Sequence, residues 1–180
     1  GAHSFEGYKN LRSVVFHKGI SAIHKSAFLN CANLTDVSFA DGVEYIGPYA
    51  FDGTHWFENQ PDGEVYIGNL LYKYKGEMPF NTSIVIKDGT ETICQSAFDC
   101  CEGLTSITLP SSLKDIQNYA FNGCDNLKEI YCKALTPPSI NGSYNNFHDD
   151  AVVYVPKGTR EVYREASRLF ENVVEVNFSN

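Results

Sequence analysis

"SAFLNCANLTDVSFADGVEYIGPYAF", residues 26–51, opens on Ser-Ala-Phe and closes on Tyr-Ala-Phe, so Ala27-Phe28 returns as Ala50-Phe51 after 23 residues. Self-similarity at a period of about 20 to 30 residues points to a solenoid rather than a globular fold. Working outward from this stretch, the aromatic register continues as Phe5, Phe28, Phe51, Phe98 and Phe121. The steps are 23, 23, 47 and 23 residues, the long one being two periods plus one. Other positions keep the same step. Leu11, Leu34, Leu104 and Leu127 lead the units, and Val14, Val37, Ile84, Ile107 and Ile130 follow them. Two residues further on come Phe16, Phe39, Ile86, Leu109 and Cys132, and later Ile23, Ile46, Ile93 and Ile116.

A single coil of this length has one short strand and a handful of apolar side chains, so it buries its apolar face only by stacking on its neighbours. The Val37-Ser38-Phe39 alternation reads as that strand, with Val and Phe turned inward. Ile46 to Phe51 reads as a turn of helix or 3₁₀ that carries the chain back across the opposite side. Strands of successive coils then pair in parallel at roughly 4.8 Å, and the repeated Phe residues form an internal column.

The pattern L-x-x-I-x-[LF]-x-x-G-[VI]-x-x-I-x-x-x-A-F-x-x-C-x-x-L resembles the BspA-like class of bacterial leucine-rich repeats. Its clearest copies here are "LTDVSFADGVEYIGPYAFDGT" (34–54) and "LTSITLPSSLKDIQNYAFNGC" (104–124). The resemblance implies a leucine-rich repeat solenoid, a right-handed β/α-type superhelix with short parallel strands and helical or 3₁₀ returns. It covers nearly the whole chain, which is expected to be one domain over 1–180.

Within that domain, residues 1–51 are N-terminal coils that begin in mid-repeat. "HSFEGYKNL" (3–11) matches the second half of a coil, "SAFLNCANL" (26–34), so further coils or another domain are expected upstream. Residues 52–80 are a modified coil. Val65–Ile67 and Leu70–Tyr74 are strand-like runs separated by Gly68-Asn69, the signature of a tight hairpin. Regular coils resume over 81–132. Thr136-Pro137-Pro138 then breaks the register, and 133–180 is a degenerate coil followed by a strand–helix–strand cap, "AVVYVPKGTREVYREASRLFENVVEV" (151–176). An open solenoid end exposes strand edges and apolar surface, which such a cap covers.

Composition restricts function further. The net charge of −8 argues against nucleic acid, whose phosphates require a basic stripe. No apolar run approaches the length that spans a membrane, and no signal peptide is visible. Six cysteines raise the question of metal or thiol chemistry. Cys31, Cys101 and Cys124 share one register, with Thr54 in the same place in the coil between, which suits small buried thiols at a tight corner. Cys132 falls in a core column, whereas Cys94 and Cys100 fall off the register and are expected to be more exposed. A Cys101–Cys124 disulfide is left open by their placement in neighbouring coils.

No C-x-x-C pair is present and the five histidines are scattered, so neither a metal nor another cofactor is expected. Gly42, Gly89 and Gly123 occupy recurrent turn positions rather than a phosphate loop. His148-Asp149-Asp150 reads as a polar turn rather than an acid–base cluster, and the chain is not expected to be an enzyme.

What remains is surface. The outward strand column Val15, Ser38, Val85, Thr108 and Tyr131, beside Ser13, Asp36, Ser83, Ser106 and Glu129, is the extended face that a solenoid offers a partner. Candidate contact residues are Ser38, Val85, Thr108 and Tyr131, with Tyr66 and Tyr72 of the hairpin. Trp56 and Phe57 are expected to pin the modified coil to the coils beneath.

The family resemblance implies a noncatalytic recognition or adhesion module of a secreted or surface-exposed bacterial protein that acts on a host matrix or cell-surface protein; the small, neutral strand face also suits a glycan, and the chain is expected to be a monomer. A structural spacer presenting an upstream domain is the alternative. A glycan-processing or thiol-dependent enzyme is the third and weakest reading.

Overall fold

A computed structural model describes residues 1–140, 147 and 150–178. His148 and Asp149 of the polar turn therefore lie outside the described residues. The chain divides into two compact units, Gly1–Lys75 and Gly76–Asn180. Each is a β-solenoid.

In the first unit, β1 (Ser13–Phe16), β2 (Ala22–Ile23), β3 (Asp36–Phe39) and β4 (Tyr45–Ile46) precede a short helix, α1 (His55–Glu58). The unit ends in β5 (Gly63–Ile67) and β6 (Leu70–Lys75). β1 pairs with β3 in parallel, Val14 opposite Val37 and Phe16 opposite Phe39, and β2 pairs with β4. The period-2 alternation thus becomes a sheet in which Ser13, Val15, Asp36 and Ser38 point outward.

The return side differs from the helical or 3₁₀ segment expected. Tyr45–Ile46 is a two-residue strand, and the residues after it form consecutive turns. The reason lies in where the backbone donors go. Ser26, Phe28 and Asn30 donate to the carbonyls of Pro48, Ala50 and Asp52 in the next coil, at 3.0, 2.9 and 2.9 Å. Between them, Ala27, Leu29 and Cys31 donate three residues back, to His24, Ser26 and Phe28. An α-helix needs every N–H turned to the residue four back, but here alternate donors are committed to another coil. Left-handed residues at the same register, Ser26 (φ 53°) and Tyr49 (φ 60°) in this unit, also stop helical propagation.

The Phe column forms as expected. Phe5, Phe28 and Phe51 stack with centroids 5.3 and 5.4 Å apart and planes within 6°. Phe16 and Phe39 stack beside them at 5.3 Å. The modified coil then opens with α1, whose N-cap Thr54 accepts from the Phe57 N–H at 3.1 Å. Trp56 lies against Phe51 (4.9 Å) and Phe39 (5.7 Å), and Phe57 is buried, so both rings pin this coil. β5 and β6 form the antiparallel hairpin, with Gly68 at φ 60° in the first loop position, where a type II′ turn requires glycine.

The second unit contains β7 (Thr82–Val85), β8 (Thr92–Ile93), β9 (Leu104–Leu109), β10 (Asp115–Ile116), β11 (Glu129–Cys132) and β12 (Ser139–Ile140). It continues with β13 (Val152–Pro156), α2 (Arg160–Ala166), a 3₁₀ turn at Arg168–Phe170 and β14 (Val173–Val176). Strands β7, β9, β11, β13 and β14 make one parallel sheet in that order, and β8, β10 and β12 line the return side. Ile84, Ile107, Ile130, Val153 and Val173 form the inward row and are all buried. The return repeats the first unit: Ser96, Phe98 and Cys100 donate to Asn118, Ala120 and Asn122, and Phe98 stacks on Phe121 at 5.4 Å. At the end, Glu175 of β14 accepts the Gly158 and Arg160 N–H groups, each at 3.0 Å, and so caps the start of α2.

Candidate interaction surface

The outward side chains of the second unit's sheet form two rows fixed by strand register. One is Ser83, Ser106, Glu129 and Val152, and the other is Val85, Thr108, Tyr131, Tyr154 and Val174. The second row has a particular character. Val85 is 68% exposed and Val174 41%, while between them the Tyr131 and Tyr154 rings stack with centroids 4.6 Å apart and planes within 10°. Adjacent parallel strands place equivalent residues about 4.8 Å apart, which brings two rings at one register face to face. Each is half-buried by the other. The Tyr131 phenol is pushed up by desolvation and then by the Glu129 carboxylate on the same face, so it stays a neutral hydroxyl. The row thus offers a broad aromatic patch, rigid because its rings are tied to the sheet and to each other.

Tyr154 was not among the expected contact residues. The signal was in the sequence, since Val152-Val153-Tyr154-Val155 alternates like the other strands and extends the same column by one coil.

The remaining candidates separate. Ser38 is exposed on β3 opposite Val15, in the first unit, and Thr108 is half-buried beside Tyr131. Tyr66 is half-buried, opposite Leu71 in the hairpin. Tyr72 is corrected: it is 2% exposed and belongs to the core. Its ring meets Phe51 and Phe57 edge-on at 5.9 and 5.8 Å. Its hydroxyl accepts from the Phe51 N–H and donates to Asp52 Oδ1, both at 3.1 Å. In neighbouring coils the equivalent N–H groups of Phe5 and Phe28 reach the carbonyls of Ala27 and Ala50. Where the hairpin replaces the next coil, the Tyr72 hydroxyl takes the place of that carbonyl.

The cysteines carry thiols rather than disulfides. Cys31 Sγ donates to the Phe5 carbonyl at 2.8 Å and Cys124 Sγ to the Phe98 carbonyl at 3.1 Å, so this register satisfies backbone oxygen in the preceding coil. Burial pushes the thiols of Cys31, Cys124 and Cys132 up, away from the thiolate that nucleophilic chemistry requires. Cys94 is corrected from exposed to buried: it directly follows β8, at a position whose counterpart in the next coil, Gln117, is also buried. Cys100 is exposed as expected, and its thiol is raised by the neighbouring Asp99 carboxylate. Among the described residues, no His, Cys, Asp or Glu cluster has the makings of a metal site, and no helix is long and apolar enough to cross a membrane.

Stacked coils, aligned rings and a continuous outward row define a leucine-rich repeat solenoid. The chain belongs to the BspA type leucine rich repeat family, whose model matches residues 1–61 and 66–179 in six copies. No curated protein matches. A solved leucine-rich repeat protein from Bacteroides ovatus ATCC 8483 is similar over 96% of this chain and 56% of its own length, with 19% identity and a TM-score of 0.34. The pneumococcal vaccine antigen PcpA is similar over 93% of this chain and 68% of its own, with 13% identity and a TM-score of 0.33. The chain therefore spans little more than half the length of the first of these.

Proposed function

We propose that the chain is a noncatalytic interaction module of a secreted or surface-exposed bacterial protein, and that the outward face of its second unit recognises a protein partner as a monomer. Membership of the repeat family supports the coarse reading, since leucine-rich repeats commonly mediate protein binding. The observation that carries the finer one is the Tyr131–Tyr154 stack, flanked by the exposed Val85 and Val174. Tyrosines held in one geometry give large contact area at small entropic cost and are enriched among residues that dominate binding energy.

The test is binding of the chain to immobilised host matrix and cell-surface proteins by surface plasmon resonance, with Tyr131→Arg and Thr108→Arg beside the wild type. Circular dichroism establishes that each variant is folded. Saturable binding lost in both variants supports the face. Saturable binding that both variants keep places recognition elsewhere, and no binding to any protein turns the choice to the spacer reading.

A further inference from the structure

The starts of β7, β9 and β11, with the loops entering them, belong to three successive coils of the second unit and border a groove of about 480 Å3. Each supplies two side chains: Phe80 and Asn81, Glu102 and Thr105, Asn126 and Lys128. Phe80 is 81% exposed, the most exposed large apolar side chain among the described residues.

The backbone that carries this ring is clamped. Thr82 Oγ1 donates to the Pro79 carbonyl at 2.6 Å, the Thr82 N–H donates to the Gly103 carbonyl at 2.8 Å, and Thr105 Oγ1 donates to the Thr82 carbonyl at 3.1 Å. Asn81 holds a left-handed φ of 61°. A Cβ on Gly103 would lie 2.3 Å from the Pro79 oxygen and 2.7 Å from that of Met78, so only glycine admits the segment at this distance. The backbone position that carries the ring is thus fixed at the border of the groove.

The polar members are also oriented. Asn126 Nδ2 donates to the Glu102 carbonyl at 2.8 Å, and Lys128 Nζ pairs with Asp150 Oδ1 at 2.5 Å. An aromatic face beside an amide, a hydroxyl and a carboxylate is the combination that recognises a sugar. The C–H face of a pyranose stacks on the ring, and vicinal hydroxyls take hydrogen bonds from planar side chains. With Lys128 paired to a carboxylate and Glu102 alongside, the groove has no cationic surplus to attract a sulfated, phosphorylated or sialylated glycan. The three loops repeat at the coil spacing, roughly 4.8 Å, close to the advance per sugar of an extended β-linked chain.

We propose that this groove binds a neutral β-linked glycan chain, with Phe80 stacking on one pyranose ring and Glu102, Thr105 and Asn126 bonding hydroxyls of that sugar and the next. The site is separate from the tyrosine face, and the two readings stand or fall independently.

Isothermal titration with chitopentaose, cellopentaose and laminaripentaose tests it on the wild type, Phe80→Ala, Phe80→Trp and Tyr131→Arg. At least one oligosaccharide is expected to bind saturably at millimolar concentration or below. Phe80→Ala should weaken it roughly tenfold or more while leaving the thermal midpoint unchanged, and Phe80→Trp and Tyr131→Arg should retain it. No saturable binding of any of the three, or binding that Phe80→Ala leaves intact, overturns the proposal.

Discussion

Replacing Tyr72 by Phe removes one oxygen atom and almost nothing else. The ring keeps its edge-on contacts with Phe51 and Phe57, and Asp52 keeps its ion pair with Lys73. What disappears is the acceptor for the Phe51 N–H, on a residue that is fully buried, together with the hydroxyl's bond to Asp52 Oδ1, an oxygen on the carboxylate that Lys73 still serves. A buried donor left without a partner costs about 1–3 kcal/mol, against the smaller net worth of an ordinary hydrogen bond. We expect a loss of about 2 kcal/mol, which at a urea m-value of about 2 kcal/mol/M lowers the midpoint by about 1 M.

Because stacked coils need not unfold in one step, the sharper assay is hydrogen exchange at single amides. The Phe51 amide should lose roughly ten- to a hundredfold protection, since each factor of ten corresponds to about 1.4 kcal/mol. The Phe28 amide, bonded at 2.9 Å to the Ala50 carbonyl, should change much less and serves as the internal control. If Phe51 keeps its protection and the midpoint moves by less than about 0.2 M, the hydroxyl does not stand in for a missing carbonyl and the account of the hairpin is wrong.

Two further outcomes follow from the second unit. The fully buried Tyr163 hydroxyl donates to the Ala134 carbonyl at 2.7 Å and lies 3.1 Å from Cys132 Sγ, and burial, followed by Cys132, pushes its phenol up. Its unfolded phenol ionises near pH 10 while the folded one stays protonated, so its contribution is complete below about pH 10 and falls as pH rises above it. Tyr163→Phe should therefore cost about 1–2 kcal/mol at neutral pH and flatten that part of the alkaline decline in urea midpoints; an unchanged slope counts against the assignment. Glu175→Ala should cost about 1 kcal/mol, because the α2 N-cap Thr159 makes no side-chain cap bond and Glu175 supplies it instead. Thermal melts of Glu175→Ala and Glu175→Gln check this, and an unchanged midpoint in Glu175→Ala would refute the role.

The columns were legible because a solenoid writes each core position once per coil, and even Cys132 takes its place by register opposite Leu109. The return was not legible. Ile46, Ala50 and Phe51 are spaced as a helix would space them, and the sequence does not reveal that alternate N–H groups leave for the next coil. Tyr72 was misread for a related reason: in β6, Leu70, Leu71 and Tyr72 are all buried, so the strand does not alternate and its faces cannot be assigned by counting. Phe80 and Gly103 stand at the register that Asn10, Asn33 and Asn126 fill in other coils, and their significance comes from a close backbone approach that only coordinates reveal.

These particulars sort the polar and aromatic side chains by what the backbone asks of them. Where coils repeat, backbone groups satisfy one another across the step. Where the repeat is broken, a side chain is recruited: the Tyr72 hydroxyl for the Phe51 N–H, the Tyr163 hydroxyl for the Ala134 carbonyl, and the Glu175 carboxylate for the start of α2. Each looks functional by residue type and is structural by its partners, because its removal strands a backbone group. Tyr131, Tyr154 and Phe80 are different in kind: their rings are held at the surface, and their loss leaves no such group unpaired.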